Sequence, residues 1–182
     1  EVLDAVRQDE YVDFLYSLEG GLNTDLINRV IVYMQSKGTN IVAYNKPESA
    51  AKEAEEQLGL QYRNSLEEIG QCTCWYSYRL DESGVKDIVF VNLAKINTIN
   101  PIEILVGLSH EWGHREEIRG NTAMLKYKKS GGVEGSTEVV SSLYGIHAAN
   151  VADKLGGANN FVQKGLVDNL MILDVVFEES LQ

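Results

Sequence analysis

The stretch NPIEILVGLSHEWGHREEIRG, residues 100–120, determines the architecture that we predict for this chain. Asn100 has the side chain of a helix N-cap, Pro101 fits the first helical turn, and Glu103 stands at the capping-box position. Gly120 supplies a stop at the other end. The stretch therefore predicts one helix whose two ends are both signalled locally.

The centre of this helix carries a pattern that favours metal binding. His110 and His114 are four positions apart, so their imidazoles lie on one face and can bind the same Zn²⁺ ion at about 2.0–2.1 Å. Glu111 follows the first histidine, and its carboxylate can take a proton from a metal-bound water as general base. The alternative is a helix that carries histidines only for packing or solvation. That alternative does not explain why two of the chain's three histidines fall in this pattern. The spacing indicates a catalytic zinc centre.

A catalytic zinc needs a third protein ligand and one open position. The metzincin pattern would place a glycine three residues and a histidine six residues beyond His114, but Glu117 and Gly120 stand there, so that class is excluded. Glu117 is close to the histidine face but too far along the helix axis to complete a tetrahedral site. The nearby side chains with a suitable donor atom are Glu116, Glu117, Glu134, Glu138 and His147.

Residues 137–145, TEVVSSLYG, resemble the second zinc helix of the thermolysin-like gluzincins, whose pattern is NExxSDxxG. The resemblance covers this nonapeptide and the HExxH helix. It implies that Glu138 is the third zinc ligand, and that Ser142 replaces the Asp that orients a histidine ligand, with a weaker hydrogen bond. The separation between His114 and Glu138 is a few residues longer than the family leads us to expect, and Glu134 fits that distance better.

Helix geometry favours Glu138 independently of the resemblance. At 100° per residue, Ser142 and Gly145 lie within about 40° of Glu138, so this face is small enough for the metal helix to approach closely. Glu134 precedes the predicted helix and lies on less rigid backbone. Both glutamates stay candidates. His147 lies about 180° from Glu138, so it cannot share the metal, and we expect it to be structural.

No position in the sequence identifies the hydrogen-bond donor that would stabilise the oxyanion of the tetrahedral intermediate. Gluzincins usually provide a His or Tyr well downstream of the ligands, but no His follows His147 and no Tyr follows Tyr144. We therefore take Tyr127, between the two predicted zinc helices, as the first candidate and Tyr144 as the second.

The rest of the chain predicts a hairpin and further helices around this centre. The hairpin pairs strands Cys74–Leu80 and Val85–Leu93, and it leads directly into the HExxH helix. The other predicted elements are helix Ala5–Leu18, a helix capped by Asn23 or Thr24 and ended by Gly38, strand Ile41–Tyr44, and helices Pro47–Leu58, Ser136–Leu155 and Asn160–Glu179.

This order of elements predicts an α+β fold with a small mixed sheet packed on the HExxH helix and a helical C-terminal half. The resemblance implies that the fold is zincin-like. We expect one domain, residues 1–182, with a sheet-bearing part at 1–99 and a helical zinc-binding part at 100–182. The resemblance also implies that an edge strand above the metal binds the substrate by strand addition, and residues 87–93 are the candidate.

Composition excludes some partners. The net charge is −11, with 27 acidic against 16 basic residues, which argues against nucleic acid and anionic membranes. No apolar run is long enough to span a bilayer. Cys72 and Cys74 are one residue apart and belong to no disulfide framework, so we expect two small, half-buried side chains. The chain starts at Glu1 without Met, and we expect a processed or released part of a longer polypeptide.

Taken together, these features predict a zinc-dependent endopeptidase that hydrolyses peptide or protein substrates. His110, His114 and Glu138 would hold the zinc, and Glu111 would act as base and then as proton donor. Two alternatives stay open: a zinc amidohydrolase acting on a small amide, or an inactive zinc-bound interaction or toxin-like module of a larger protein. A deep closed pocket would favour the amidohydrolase, and zinc binding without turnover would favour the module.

Overall fold

The chain folds into a mixed arrangement of helices and strands, as predicted for the α+β class. The structure is a computed structural model that describes residues 6–59, 66–96, 101–120, 137–156 and 171–173. Its elements in chain order are α1 (Glu10–Ser17), α2 (Thr24–Ser36), β1 (Asn40–Tyr44), α3 (Pro47–Leu58), α4 (Leu66–Gln71), β2 (Cys74–Asp81), β3 (Gly84–Asn92), α5 (Leu93–Ile96), α6 (Pro101–Ile118), α7 (Thr137–Lys154) and β4 (Met171–Ile172).

Side-chain caps explain where α1 and α2 begin. The Asn23 side chain accepts the Leu26 N–H, so α2 starts where the sequence predicts. Asp9 accepts the N–H groups of the first helical residues, and α1 therefore begins at Glu10, later than the predicted Ala5. The short helices α4 and α5 were not predicted, because each has fewer than two turns of apolar periodicity.

The four strands lie in the order β2-β3-β1-β4. Strands β2 and β3 form the predicted antiparallel hairpin, whereas β1 pairs with β3 and with β4 in parallel. Because Met171 and Ile172 form β4, the predicted helix Asn160–Glu179 is wrong at these two residues. They pair with Val42 and Ala43, so the second edge of the buried strand β1 is hydrogen-bonded there. The sheet is therefore not confined to residues 1–99.

The position of β3 corrects the predicted substrate strand. Residues 87–93 were expected at an edge, but β3 lies between β2 and β1 and its backbone pairs on both sides. Its residues Asp87–Asn92 are all buried, as is typical of a strand covered on both faces. Among the described strands, β2 is the outer neighbour on the hairpin side of the sheet.

Helices cover both faces of this sheet. One face packs on α1, α2, α6 and α7 through side chains that include Ile41, Val89 and Val91. The other face packs on α3 and α4, where Trp75 stacks on Phe90 with ring centroids 4.0 Å apart. None of the helices in the described ranges combines the length and apolar character that a membrane crossing requires. The larger core therefore lies between the sheet and the helix that carries the HExxH pattern.

Candidate metal centre

The centre is formed where α6 and α7 pack against each other, and small residues allow the close approach. A Cβ atom on Gly113 would lie 2.6 Å from Cα of Ser141, which is closer than atoms can pack. At Gly145 a Cβ would lie 3.9 Å from Cβ of His110 and 3.5 Å from Val106. Gly145 of the predicted small face therefore does meet α6, whereas the tightest contact is at Ser141, which the sequence analysis did not name.

This packing brings together three of the predicted site residues. Nε2 of His110 lies 3.0 Å from Oε2 of Glu138, and Nε2 of His114 lies 3.2 Å from Oε1 of the same carboxylate. The two imidazole centroids are 4.9 Å apart. For bonds of about 2.0–2.1 Å, the ligand atoms of a tetrahedral zinc lie roughly 3.3 Å from one another. Each imidazole therefore lies near a different oxygen of the Glu138 carboxylate, at a distance close to that between two ligand atoms of one zinc ion.

Glu111 lies beside these ligands but points toward strand β2. Single donor atoms of His110, Glu111 and His114 all lie within 4.8 Å of one another. Burial and the nearby charge of Glu138 raise the pKa of Glu111 to about 8, and a hydrogen bond from the backbone N–H of Tyr76 opposes this shift. The carboxyl group is therefore half-buried and able to exchange a proton near neutral pH.

The electrostatics of His114 favour its neutral form. Burial lowers the pKa of this imidazole, and the neighbouring His110 lowers it further, while Glu138 and Glu117 act in the opposite direction. A neutral imidazole is the form that binds metal ions. Glu117 thus acts on His114 from along the helix, as its position in the sequence predicts.

The centre is accessible to solvent. The side chain of Glu138 is 71% exposed, and those of His110 and His114 are 25% and 17% exposed. Of the three side chains, Glu138 on α7 is the most exposed.

Ser141 is a neighbour of the centre that the sequence analysis missed. Its Oγ lies 3.2 Å from Nε2 of His110 and donates a hydrogen bond to the backbone carbonyl of Glu138 at 3.1 Å. The sequence analysis assigned a histidine contact to Ser142 instead. The sequence could have indicated Ser141, because it follows Glu138 by three residues and residues i and i+3 share a helix face.

A second group that the sequence analysis missed connects the sheet to α6. Asp87 accepts hydrogen bonds from Tyr76 Oη at 2.7 Å, from Arg119 at 2.7 and 2.8 Å, and from Thr39 Oγ1 at 3.1 Å. Its side chain is 0% exposed. Burial alone would raise the pKa of Asp87, but these donors lower it overall. The carboxylate is therefore charged and fully paired inside the fold.

The remaining candidates lie elsewhere. Tyr127 and Glu134 fall outside the described residues. Tyr144 is fully buried in the core against Tyr11, and this burial raises its pKa, which argues against its second-choice role as oxyanion donor.

The residues expected to be structural are structural. His147 is buried, with its Nδ1 2.8 Å from Tyr16 Oη, and it takes no part in the centre. Cys72 is half-buried and Cys74 is buried, and both are free thiols, as predicted.

Comparison of this chain with family models, curated proteins and solved structures gives no match. Interpretation of the centre therefore depends on its own residues. These are two imidazoles, each near one oxygen of the Glu138 carboxylate, with a second, half-buried carboxyl group, that of Glu111, beside them.

Proposed function

We propose that this chain is a zinc-dependent peptidase with a zincin-like architecture. His110, His114 and Glu138 would hold the metal, and Glu111 would act as general base. The observation that carries the proposal is the contact of one carboxylate, on α7, with the Nε2 atoms of both histidines on α6. Between 24 and 28 residues separate Glu138 from the histidines, so helix packing, and not sequence proximity, creates this contact.

The donor set fits zinc. Two neutral imidazole nitrogens and one carboxylate oxygen are a ligand combination of catalytic zinc sites that leave a position open. The lowered pKa of His114 favours the form that binds. Bound zinc would supply Lewis acidity and lower the pKa of a water molecule toward neutrality.

The position of Glu111 suits proton transfer. Its half-buried carboxyl group lies beside the histidine ligand atoms, and its pKa is raised to about 8 in the metal-free chain. A group that titrates near the working pH can accept a proton and return it in the same catalytic cycle. We assign Glu111 the proton of the attacking water and then its delivery to the leaving amine nitrogen.

The position of β2 at the end of the sheet, among the strands that the structure describes, supports a peptide substrate. The Asn92 N–H donates to the Thr73 carbonyl, so these two opposed residues form a hydrogen-bonded pair. Opposed residues in an antiparallel ladder alternate between hydrogen-bonded and non-hydrogen-bonded pairs. Every second residue of β2, starting at Cys74, is therefore in a non-hydrogen-bonded pair with β3. Cys74, Tyr76 and Tyr78 therefore direct their backbone groups away from β3. An extended peptide could add to this edge next to the centre. This role replaces the one that the sequence analysis gave to residues 87–93.

Solvent access distinguishes this proposal from the small-amide alternative. An amidohydrolase for a small amide would enclose its substrate, whereas the Glu138 carboxylate is largely exposed and a strand edge runs beside the centre. An exposed carboxylate beside a strand edge would accommodate a chain that continues in both directions.

The function can be tested with zinc-loaded protein, metal-free protein and the Glu111→Gln variant, each incubated with a library of unstructured peptides. We expect cleavage by the zinc-loaded wild type alone. Hydrolysis of small amides without any peptide cleavage would favour the amidohydrolase. Stoichiometric zinc without turnover on either substrate class would contradict an enzymatic role.

A further inference from the structure

Strand β2 carries an exposed apolar stripe on the face that packs toward α6. Cys74 and Tyr76 pack against the larger core, whereas Trp75 packs into the core on the opposite face of the sheet. Because side chains alternate along a strand, Tyr78 and Leu80 lie on the same face as Tyr76. Exposure increases toward the hairpin turn, since Tyr78 is 41% exposed and Leu80 is 67% exposed. Tyr76, Tyr78 and Leu80 are called the β2 stripe below.

Contacts within the fold hold the aromatic part of the β2 stripe in place. The Tyr76 hydroxyl donates to Oδ2 of Asp87 at 2.7 Å. Arg119 donates to both oxygens of the same carboxylate, at 2.7 and 2.8 Å. The rings of Tyr76 and Tyr78 stack with their centroids 5.9 Å apart. A ring that is fixed before binding loses little conformational entropy when a ligand covers it, so the two tyrosines are a preformed aromatic surface.

The β2 stripe runs alongside the centre and continues past it. At the start of the contact between α6 and β2, a Cβ on Gly107 would lie 3.5 Å from Sγ of Cys74. At its end, the turn after α6 bonds to Asp87, which opposes Tyr78. The two histidines follow Gly107 by three and seven residues, which is about 4.5 and 10 Å along the helix axis. At about 3.4 Å per strand residue the centre lies nearest to Tyr76, and the rest of the stripe continues about 7 and 14 Å beyond it.

The backbone of the stripe is available to a further strand. Tyr78 and Leu80 oppose Asp87 and Val85 in non-hydrogen-bonded pairs, so their N–H and C=O groups point away from β3. Proteins usually protect such an edge with charged side chains, because an apolar edge pairs with other chains. The α6 face of this outermost described strand carries an exposed tyrosine and an exposed leucine instead. This composition suits an extended segment whose own apolar side chains cover the stripe.

We propose that the β2 stripe selects the peptide substrate. The selected segment is extended and has apolar side chains two and four residues from the bond opposite Tyr76, against Tyr78 and Leu80. The inference rests on the proposed peptidase function for the position of the cleaved bond. Opposed residues of paired strands share a face, so every second substrate residue contacts the stripe. A second copy of this chain is a poorer occupant, because each copy has a net charge of −11 and the copies repel each other.

The first test is the positional preference of cleavage by the zinc-loaded wild type. Peptides with valine at both positions should be cleaved with a kcat/KM about tenfold above that of otherwise identical peptides with serine there. The double variant Tyr78→Thr/Leu80→Thr should lose this preference, because threonine keeps the strand propensity and removes most of the apolar surface. A wild type without preference at these positions would overturn the inference, and so would a double variant that keeps it.

Two single variants keep the test decisive if the double variant folds poorly. Leu80→Thr changes a largely exposed side chain, so it should fold like the wild type and lose the preference four residues from the cleaved bond only. Val32→Thr is the matched control, because Val32 is also an exposed apolar residue, 51% exposed, and lies on α2. It should keep the preference at both positions. Equal effects of the two single changes would overturn the inference.

A binding measurement separates this inference from the proposed function. Zinc-loaded Glu111→Gln should bind substrate without cleaving it. The probe is a short peptide of alternating valine and threonine with a lysine at each end, and the reference peptide has serine in place of valine. The NMR signals of the Tyr78 and Leu80 amides should shift with the probe and not with the reference.

Each outcome of the binding measurement decides one of the two claims. If these amides shift but the wild type cleaves no peptide, the proposed function fails and the stripe stands as a peptide-binding surface. If the wild type cleaves peptides and the amides do not respond to the probe, the inference is wrong. Self-association of the wild type that Leu80→Thr abolishes would also overturn it, because a second copy would then occupy the stripe.

Discussion

The carboxylate of Glu138 and the imidazole of His114 lie 3.2 Å apart although 24 residues separate them in the chain. The same carboxylate lies 3.0 Å from His110. In the metal-free chain these are contacts between a carboxylate and imidazole nitrogens. The proposal is that a zinc ion occupies the point on which they converge, and the predictions below test its consequences.

Glu111→Gln should keep the zinc and the fold but lose about 10²–10⁴-fold in kcat, because the proposed base is removed while every proposed ligand stays. Elemental analysis checks that the zinc is kept, and peptide cleavage by the same preparation checks that kcat is lost. A variant that cleaves at nearly the wild-type rate would mean that another group takes the proton.

Metal-free wild type should lose stability relative to metal-free Glu111→Gln as the pH rises. The pKa of Glu111 is raised to about 8 in the folded chain from about 4.5 in the unfolded chain, so between these values the unfolded state binds fewer protons. The stabilising contribution of the protonated carboxyl group is therefore complete below about pH 4.5 and is lost as the pH rises through about 8. Denaturant unfolding of both proteins at pH 5 and pH 8 measures the difference. A gap between the two proteins that does not change with pH would argue against a raised pKa at this position.

Gly113→Ala should disrupt the contact between α6 and α7. The added Cβ would lie 2.6 Å from the Ser141 backbone, so α7 must shift, at a cost of about 1–3 kcal/mol in unfolding free energy and with weaker zinc binding. Gly145→Ala is the matched control in the same helix pair, because its Cβ would meet Val106 at an ordinary 3.5 Å. Thermal melting and zinc titration of both variants give the comparison. If the two alanines behave alike, close packing at Gly113 does not position Glu138.

Tyr127→Phe tests the predicted oxyanion donor. Loss of such a donor typically lowers kcat about 10²–10³-fold and changes KM little. Steady-state kinetics on one well-cleaved peptide are sufficient. An unchanged kcat would move the role to another donor, such as a backbone amide, since Tyr144 is buried in the core.

The two helices of the centre are the part of the fold that local sequence signals predict best. Pro101 and the apolar spacing define α6, and α7 runs from Thr137 to Lys154, within one residue of its predicted ends. Caps and helical periodicity act over a few residues, so they can be read directly from the sequence. The gluzincin resemblance and the small residues on its helix face made Glu138 the first candidate for the third ligand, and its carboxylate does lie beside both histidines.

The features that were missed depend on contacts between distant parts of the chain. The hairpin was predicted, but the insertion of β1 beside β3 was not, because parallel pairing leaves no local turn signal. The network of Tyr76, Asp87 and Arg119 joins β2, β3 and the turn that directly follows α6. Nothing in the sequence near any of these residues indicates its partner, since the partners meet only after the sheet has packed on α6.

Zinc affinity of Glu138→Ala compared with Glu134→Ala tests the central claim most directly. Competition with a chromophoric chelator measures both values. Removal of a metal ligand should weaken zinc far more than the roughly 10–100-fold typical of a residue that only orients a ligand. We predict that Glu138→Ala purifies with little zinc and no activity, whereas Glu134→Ala keeps both within about tenfold of wild type. A metal-free Glu134→Ala together with a fully loaded Glu138→Ala would contradict the account.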